Sequence, residues 1–252
     1  MKKIILIGSG SVATNLALNL DKNKYSVQQV FSRTKENAEI LAKKINADFT
    51  NDINKLQKGD ITLLCIKDDF IASFLEGKLF QNLIHTSGSE NINVLKNSAQ
   101  DFGVLYPLQT FNKEVKINFT EIPILIEAST VKFKKVVLEL ASSLSNKVIN
   151  ITSKKRRQIH IAAVFACNFS HHMLSISKEI MDNEDLDYSL LLPLIEQNNK
   201  KSLLGDPQKL QTGPAKRNDV KLINEHIKEI KNLHHKDIYR LLSDNIIKIN
   251  GK

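Results

Sequence analysis

The amino-acid sequence predicts an α/β fold: a doubly wound parallel sheet followed by a smaller all-α domain. Three observations carry this. Apolar, strand-like runs alternate with helix-like stretches through the first 150 or so residues. A glycine-rich turn follows the first of those runs and opens the first helix. Past Thr152 only helical periodicity continues.

Taken in order, residues 3–7 (KIILI) form a continuous apolar run that stops at Gly8. Such runs fit strands buried on both faces of a parallel sheet. Residues 12–20 follow with helical spacing, 25–31 read as a second strand and 35–45 as a second helix. Residues 60–66 are another buried strand, and 82–86 and 102–106 weaker ones. Residues 122–126 and 147–151 bracket a helix over 131–144. Strands alternating with helices argue for βαβ units. From 153 to 249 Pro193, Pro207 and Gly213-Pro214 punctuate helical segments. The domains are therefore read as 1–152 and 153–252.

Composition narrows the classes. Hydrophobic residues at 42% and charged residues at 25% match globular proteins and exclude a mainly disordered chain. No apolar run approaches the roughly 18 residues that span a bilayer, and the apolar start is too short for a signal peptide. Cys65 and Cys167 each sit in an apolar run, so neither a disulfide framework nor a cysteine metal site follows. A cytoplasmic compartment is expected. The net charge of +9 is spread evenly, with 19 basic against 15 acidic residues in 1–152 and 17 against 12 in 153–252. The one basic run, Lys154-Lys155-Arg156-Arg157, reads as a solvated face. Neither a nucleic-acid nor a membrane partner is expected; the charge suits anionic small molecules, phosphates included.

Gly8-Ser9-Gly10-Ser11-Val12-Ala13 matches G-x-G-x-x-G/A between a buried strand and a helix. Gly8 permits the tight turn, Gly10 lets backbone N–H groups approach a pyrophosphate, and Ala13 allows close helix–strand packing. The helix N-terminus adds unpaired N–H groups and partial positive charge. The second strand ends Phe31-Ser32-Arg33-Thr34 with no acid to bond a ribose 2′-hydroxyl. Arg33 suits a 2′-phosphate through charge-assisted bonds, aided by Ser32 and Thr34. The expected cofactor is thus NADP(H), on a Rossmann-type domain. Ile66 and Lys67 close the strand after Asp60 and are expected beside the cofactor, because strand C-termini line its crevice. His85-Thr86-Ser87-Gly88-Ser89 ends the next strand, placing Ser87 and Gly88 as candidate substrate contacts.

Residues 160–168 read as a largely apolar, buried helix. His160 and Asn168 lie about 80° apart on it, and His171 returns to within about 20° of His160. A buried polar stripe is either a bonded network or a pocket wall. His160 can exchange a proton near neutral pH, and Asn168 can orient a carbonyl or amide. No carboxylate completes a metal set at this spacing, so no metal is expected. Gln109 at the end of residues 105–111, and Arg217 in the break at 212–219, are further candidate substrate contacts; Arg217 could equally pair with Asp219.

GSGSVA, a strand ending SRT, HTSG, LYPLQTF, H-x7-N at His160–Asn168 and TGPAKRND follow one another over nearly the whole chain. Together they resemble a bacterial family with a Rossmann-like NADP-binding domain and a C-terminal helical domain of unknown function. That family is similar to the 6-phosphogluconate dehydrogenase, β-hydroxyacid dehydrogenase and pyrroline-5-carboxylate reductase superfamily. The resemblance implies NADP(H) binding, a cleft between domains and a homodimer built through the helical domain. Gly8, Gly10, Ala13, Ser32 and Arg33 match its cofactor positions. Hydroxyacid dehydrogenases of the superfamily carry a catalytic Lys four residues before an Asn. Here that position is Val164, with His160 one turn earlier, which argues against the hydroxyacid reaction and favours His160 as proton donor. The expected function is NADP-dependent hydride transfer to or from a small, anionic metabolite. The rival expectation is a non-catalytic NADP(H)-sensing module acting through its helical domain.

Overall fold

The computed structural model describes residues 1–112, 115 and 117–250. They form two compact units, Met1–Cys167 and Asn168–Lys252. The first is built on one eight-stranded sheet: β1 (Lys2–Ile7), β2 (Tyr25–Phe31), β3 (Asp48–Thr50), β4 (Ile61–Leu64), β5 (Phe80–His85), β6 (Ala99–Pro107), β7 (Ile124–Ala128) and β8 (Val148–Asn150). The strand order is β3-β2-β1-β4-β5-β6-β7-β8. Every neighbouring pair is parallel except β6 and β7, which are antiparallel. The described residues between β6 and β7 form no crossover helix, and an antiparallel return needs none.

Helices α1 (Ser11–Asn19), α2 (Lys35–Ile45), α3 (Ile71–Leu75), α4 (Val131–Ser142) and α5 (Ser153–Ala163) complete this unit. Ile4, Ile5, Leu6 and Ile7 are all at most 1% exposed, as a central strand covered on both faces requires. α2 ends at Asn46 in the left-handed region, φ 54°, a conformation Asn tolerates at a helix end. α4 begins where Thr130 Oγ1 accepts the Phe133 N–H, and it buries Phe133, Val137 and Leu140 at one-turn spacing. The strand order reverses between β1 and β4, the usual ligand crevice of such folds. β3 and α3 escape sequence reading because three and five residues carry too little periodicity.

The seam between units falls after α5, not before residue 153. Side chains explain this: Ser153 and Arg156 are buried in the first unit, and Arg156 pairs with Glu127 on β7 at 2.7 Å. The basic run is therefore not wholly a solvated face; Lys154, Lys155 and Arg157 are exposed, while Arg156 points inward.

A π-helical turn, Val164–Phe169, follows α5. The second unit holds α6 (Ser170–Asp182), α7 (Leu192–Ser202), α8 (Val220–Glu229) and α9 (Leu233–Asn250). Pro193 sits in the first turn of α7, where a missing N–H costs nothing. Asp219 caps α8 by accepting the Leu222 N–H. His226 on α8 and Tyr239 on α9 share a 2.7 Å hydrogen bond.

Two expectations for this helical stretch change. It is exposed around Ile161, Phe165 and Phe169, not buried. Residues Ser153–Asp182 are also long and apolar enough, by length and composition, to cross a membrane. Counting uninterrupted apolar residues passes over such a helix, because scattered Ser, His and Asn residues divide its apolar content into short runs.

Candidate functional site

The glycine turn has the geometry its motif requires. Gly8 has φ 116°, donates its N–H to Phe31 O at 2.8 Å, and leaves no room for a side chain. A Cβ there would lie 2.1 Å from Cys65 O. Gly10 is the N-cap of α1, and the space a Cβ would enter is open to 4 Å. Ala13 is fully buried behind it. Off this turn lies a cavity of about 410 Å³ bounded by Gly8, Ser9, Gly10, Ser32, Arg33, Ile66 and Lys67 from the sequence candidates. Ser11, Val12 and Ala13 form the first turn of α1, and Thr34 is the N-cap of α2; none of the four lines the cavity.

Phe31, Asn37, Cys65, Phe70, Ser73 and Phe74 also line the cavity and were missed by sequence reading. Phe70 ends a 3₁₀ turn and Ser73 and Phe74 stand on α3, elements too short to announce themselves. The Arg33 guanidinium stacks over Phe70, 4.4 Å from the ring centroid. Ser9 Oγ donates to Ser32 Oγ at 3.0 Å. Among the described residues no carboxylate bounds the cavity. Backbone donors at a helix start and an exposed guanidinium, with no acid lining the cavity among the described residues, fit a phosphorylated dinucleotide. Burial pushes the Cys65 thiol up to about 12, against a smaller opposing bond from Thr86, so it is an inert packing residue.

A second constellation stands at the ends of β5 and β6. His85 is fully buried; its Nδ1 accepts the Ser87 N–H at 3.1 Å. Burial, and secondarily the Arg156 charge, lowers its pKa to about 3, so it is neutral. Ser87 Oγ accepts the N–H groups of Ser89 at 3.0 Å and Glu90 at 2.9 Å, closing the loop. Gly88 lies beneath two aromatic rings. A Cβ on it would be 2.7 Å from His160 Nδ1 and 2.9 Å from Tyr106 Cζ. Tyr106 Oη and His160 Nδ1 are 3.0 Å apart, with the rings edge to face. Burial raises the Tyr106 pKa; Asp68 adds to this and Arg156 opposes it.

α5 presents this histidine from a clamped face. Ser153, Arg156 and His160 follow helical spacing on one side. Ser153 Oγ donates to Glu127 Oε2 at 2.5 Å and accepts the Ile92 N–H at 3.0 Å. Arg156 pairs with Glu127 and donates to the Glu90 carbonyl. The helix is thus tied to β7 and to the loop carrying Gly88.

The structure brings His160, Ser87 and Gly88 together and adds Tyr106, Arg156 and Glu127. Tyr106 stood in a segment the sequence singled out, residues 105–111, and Arg156 in the basic run read as a solvated face; Glu127 carried no signal. Gln109 is exposed, its Oε1 accepting from Thr110 N at 2.8 Å. Asn168 opens the second unit, exposed, within the π turn. That wider turn breaks the uniform 100° step behind the stripe of His160, Asn168 and His171. Arg217 is exposed in the second unit, and Asp219, the alternative partner for it, caps α8. Among the described residues no group of three or more His, Cys, Asp or Glu side chains could hold a metal.

Residues 3–87 match the family model "NADP oxidoreductase coenzyme F420-dependent", and residues 122–246 match "Domain of unknown function (DUF2520)". The chain is 35% identical to a candidate NADP oxidoreductase from Bacteroides fragilis of known structure, covering 98% of each chain with a TM-score of 0.90. It shares its fold with a pyrroline-5-carboxylate reductase from Streptococcus pyogenes (14% identity, 99% and 98% covered, TM-score 0.60). It also shares it with an imine reductase from Myxococcus stipitatus in complex with NADP+ (14% identity, 98% and 92% covered, TM-score 0.63). Among curated proteins nothing matches. With the cavity geometry and this similarity together, the cofactor is NADP(H), and the chain belongs to the family of NADP oxidoreductases in which that N-terminal domain is followed by a DUF2520 domain.

Proposed function

We propose that this oxidoreductase exchanges a hydride between NADP(H) and a small, anionic carbonyl or imine compound, with His160 giving or taking the accompanying proton. The observation that carries the reading is the Tyr106–His160 pair seated on Gly88. β1, β4, β5 and β6 are consecutive parallel neighbours. Gly8, Ile66 and Gly88 therefore follow the same edge of the sheet, and Tyr106 ends β6 there. Strands lie about 4.8 Å apart, so the glycine turn and Gly88 are about two strand spacings, roughly 10 Å, from each other. Ligands of such folds lie along this edge.

NADP(H) supplies the hydride. Free N–H groups after Gly8, at the start of α1, would hold its pyrophosphate, Ser32 and Arg33 its 2′-phosphate, and Ile66 and Lys67 would flank it. His160 protonates the substrate heteroatom as the neighbouring carbon is reduced, or accepts that proton in the reverse direction. Ser87 and Gly88 shape the floor beside it. Gln109, in the same unit, is a candidate contact to the substrate's polar groups. The net charge of +9 supports an anionic substrate. The names of two fold neighbours, a pyrroline carboxylate reductase and an imine reductase, support a C=N compound among the options.

We further propose a homodimer. Leu190, Leu194, Leu203, Leu204 and Leu241 are 67–87% exposed in a unit with few buried apolar side chains. A second copy suits the apolar helix at Ser153–Asp182 better than lipid does, because His160, Asn168, His171 and His172 interrupt it.

The test is a panel of small oxo acids and imino acids scored by loss of NADPH absorbance. Turnover of a member supports the reading. Tight NADPH binding with no turnover across the panel replaces it with the sensing module.

A further inference from the structure

We propose that Tyr106 is a positioning residue that fixes the imidazole of His160 with its proton on Nδ1, so that Nε2 is the atom exchanging a proton with substrate. This rests on the proton-donor reading of His160. The geometry argues it in two steps. Nδ1 faces the Tyr106 hydroxyl and the Gly88 loop: Tyr106 Oη lies 3.0 Å from it, and a Cβ added to Gly88 would come within 2.7 Å of it. Nε2 is on the far edge of the ring, so it is the nitrogen left to meet a ligand.

The chemistry then chooses the tautomer. To donate, the imidazolium breaks its Nε2–H bond as a new bond to hydrogen forms at the substrate's oxygen or nitrogen. The ring keeps the Nδ1 proton and becomes neutral. To accept, Nε2 must begin with a lone pair, which again requires the proton on Nδ1. In both states Nδ1–H donates to Tyr106 Oη, so one hydrogen bond survives the transfer unchanged. Such preorganisation removes a rearrangement from the reactive step. The groups facing the pair are Arg156, one turn earlier on α5, and Asp68, which acts on Tyr106 together with Arg156. Arg156 is held by Glu127 and the Glu90 carbonyl, which keeps α5 at this height.

Gly88 completes the argument. Alanine there would collide with both members of the pair, so glycine is what lets the two rings meet over the loop. The loop is itself shaped by Ser87 Oγ and by His85 Nδ1, neither of which is free to take the role given to Tyr106.

The experiment is ring-nitrogen NMR on the whole protein with isotopically labelled histidine, His160 being assigned by difference against His160→Gln. The wild-type neutral ring should carry its proton on Nδ1. Tyr106→Phe, which keeps the ring and the packing, should shift that proton toward Nε2, and Gly88→Ala should do the same. With an identified substrate, Tyr106→Phe should lower kcat about tenfold or more while KM moves less. A wild-type neutral ring protonated on Nε2, or a ring state unmoved in folded Tyr106→Phe, overturns the proposal. If the ring state is unmoved while His160→Gln abolishes turnover, Tyr106 alone loses its role. If the ring responds as expected but His160→Gln turns over normally, the proton-donor reading falls and takes the catalytic role of Tyr106 with it.

Discussion

At Gly8 an added Cβ would meet a backbone atom, Cys65 O, at 2.1 Å; at Gly88 it would meet side chains, His160 Nδ1 at 2.7 Å and Tyr106 Cζ at 2.9 Å. Gly8 also holds φ 116°, a region closed to other residues, whereas Gly88 has no such requirement. The first glycine makes a cradle from main chain alone, so its motif is local and visible. The second makes room for a pair whose members are 54 residues apart in sequence. One end of the sheet edge is written in a six-residue motif; the other exists only after β6 and α5 have come to the same loop.

Substitutions can break or sharpen that contrast. The largest effect should come at the side-chain corner. Glu127→Ala leaves the buried Arg156 guanidinium unpaired, which should cost about 3–5 kcal/mol of stability by urea titration. Any variant that remains folded should still bind NADPH, since the glycine turn does not depend on this pair; lost binding in folded protein would dissolve the contrast. Gly8→Ala should cost about 2–4 kcal/mol through forced positive φ and overpacking. Here NADPH affinity should fall as well, measured by calorimetry. Arg33→Ala should leave stability within about 0.5 kcal/mol of wild type, as exposed sites do. It should reduce NADPH affinity about tenfold or more while leaving NADH binding almost unchanged.

A further effect is one of pH, read as a slope. His85 titrates near 3 in the folded chain and at the ordinary histidine value, about 6.5, when unfolded. The unfolded state therefore binds the extra proton between those values, and stability falls as pH drops from about 6.5 toward about 3. His85→Asn, which keeps an acceptor for the Ser87 N–H, should flatten that slope by as much as one proton in urea titrations across the window.

Much of the first unit was legible because its strands are continuous apolar runs and its cofactor turn is a contiguous motif. Gly8, Ser32 and Arg33 need only the strand they follow. What was not legible has a common cause: it depends on phase or on distant partners. Arg156 sits in a run of four basic residues, and only the pairing with Glu127 distinguishes it from its solvated neighbours. Tyr106 looks like the end of a strand until α5 brings His160 to it. Asn168 was placed by a uniform helical step, and the π turn at Val164–Phe169 shifts that step. The exposed leucines of the second unit were read simply as helical periodicity, because a sequence pattern does not say which chain covers an apolar face.

The most direct test of the account is steady-state turnover of an identified substrate by wild type and His160→Gln, with NADPH affinity measured on both. The account predicts a fall in kcat of about a hundredfold or more, the usual contribution of a general acid, at unchanged NADPH affinity. Equal turnover by the two proteins would contradict it.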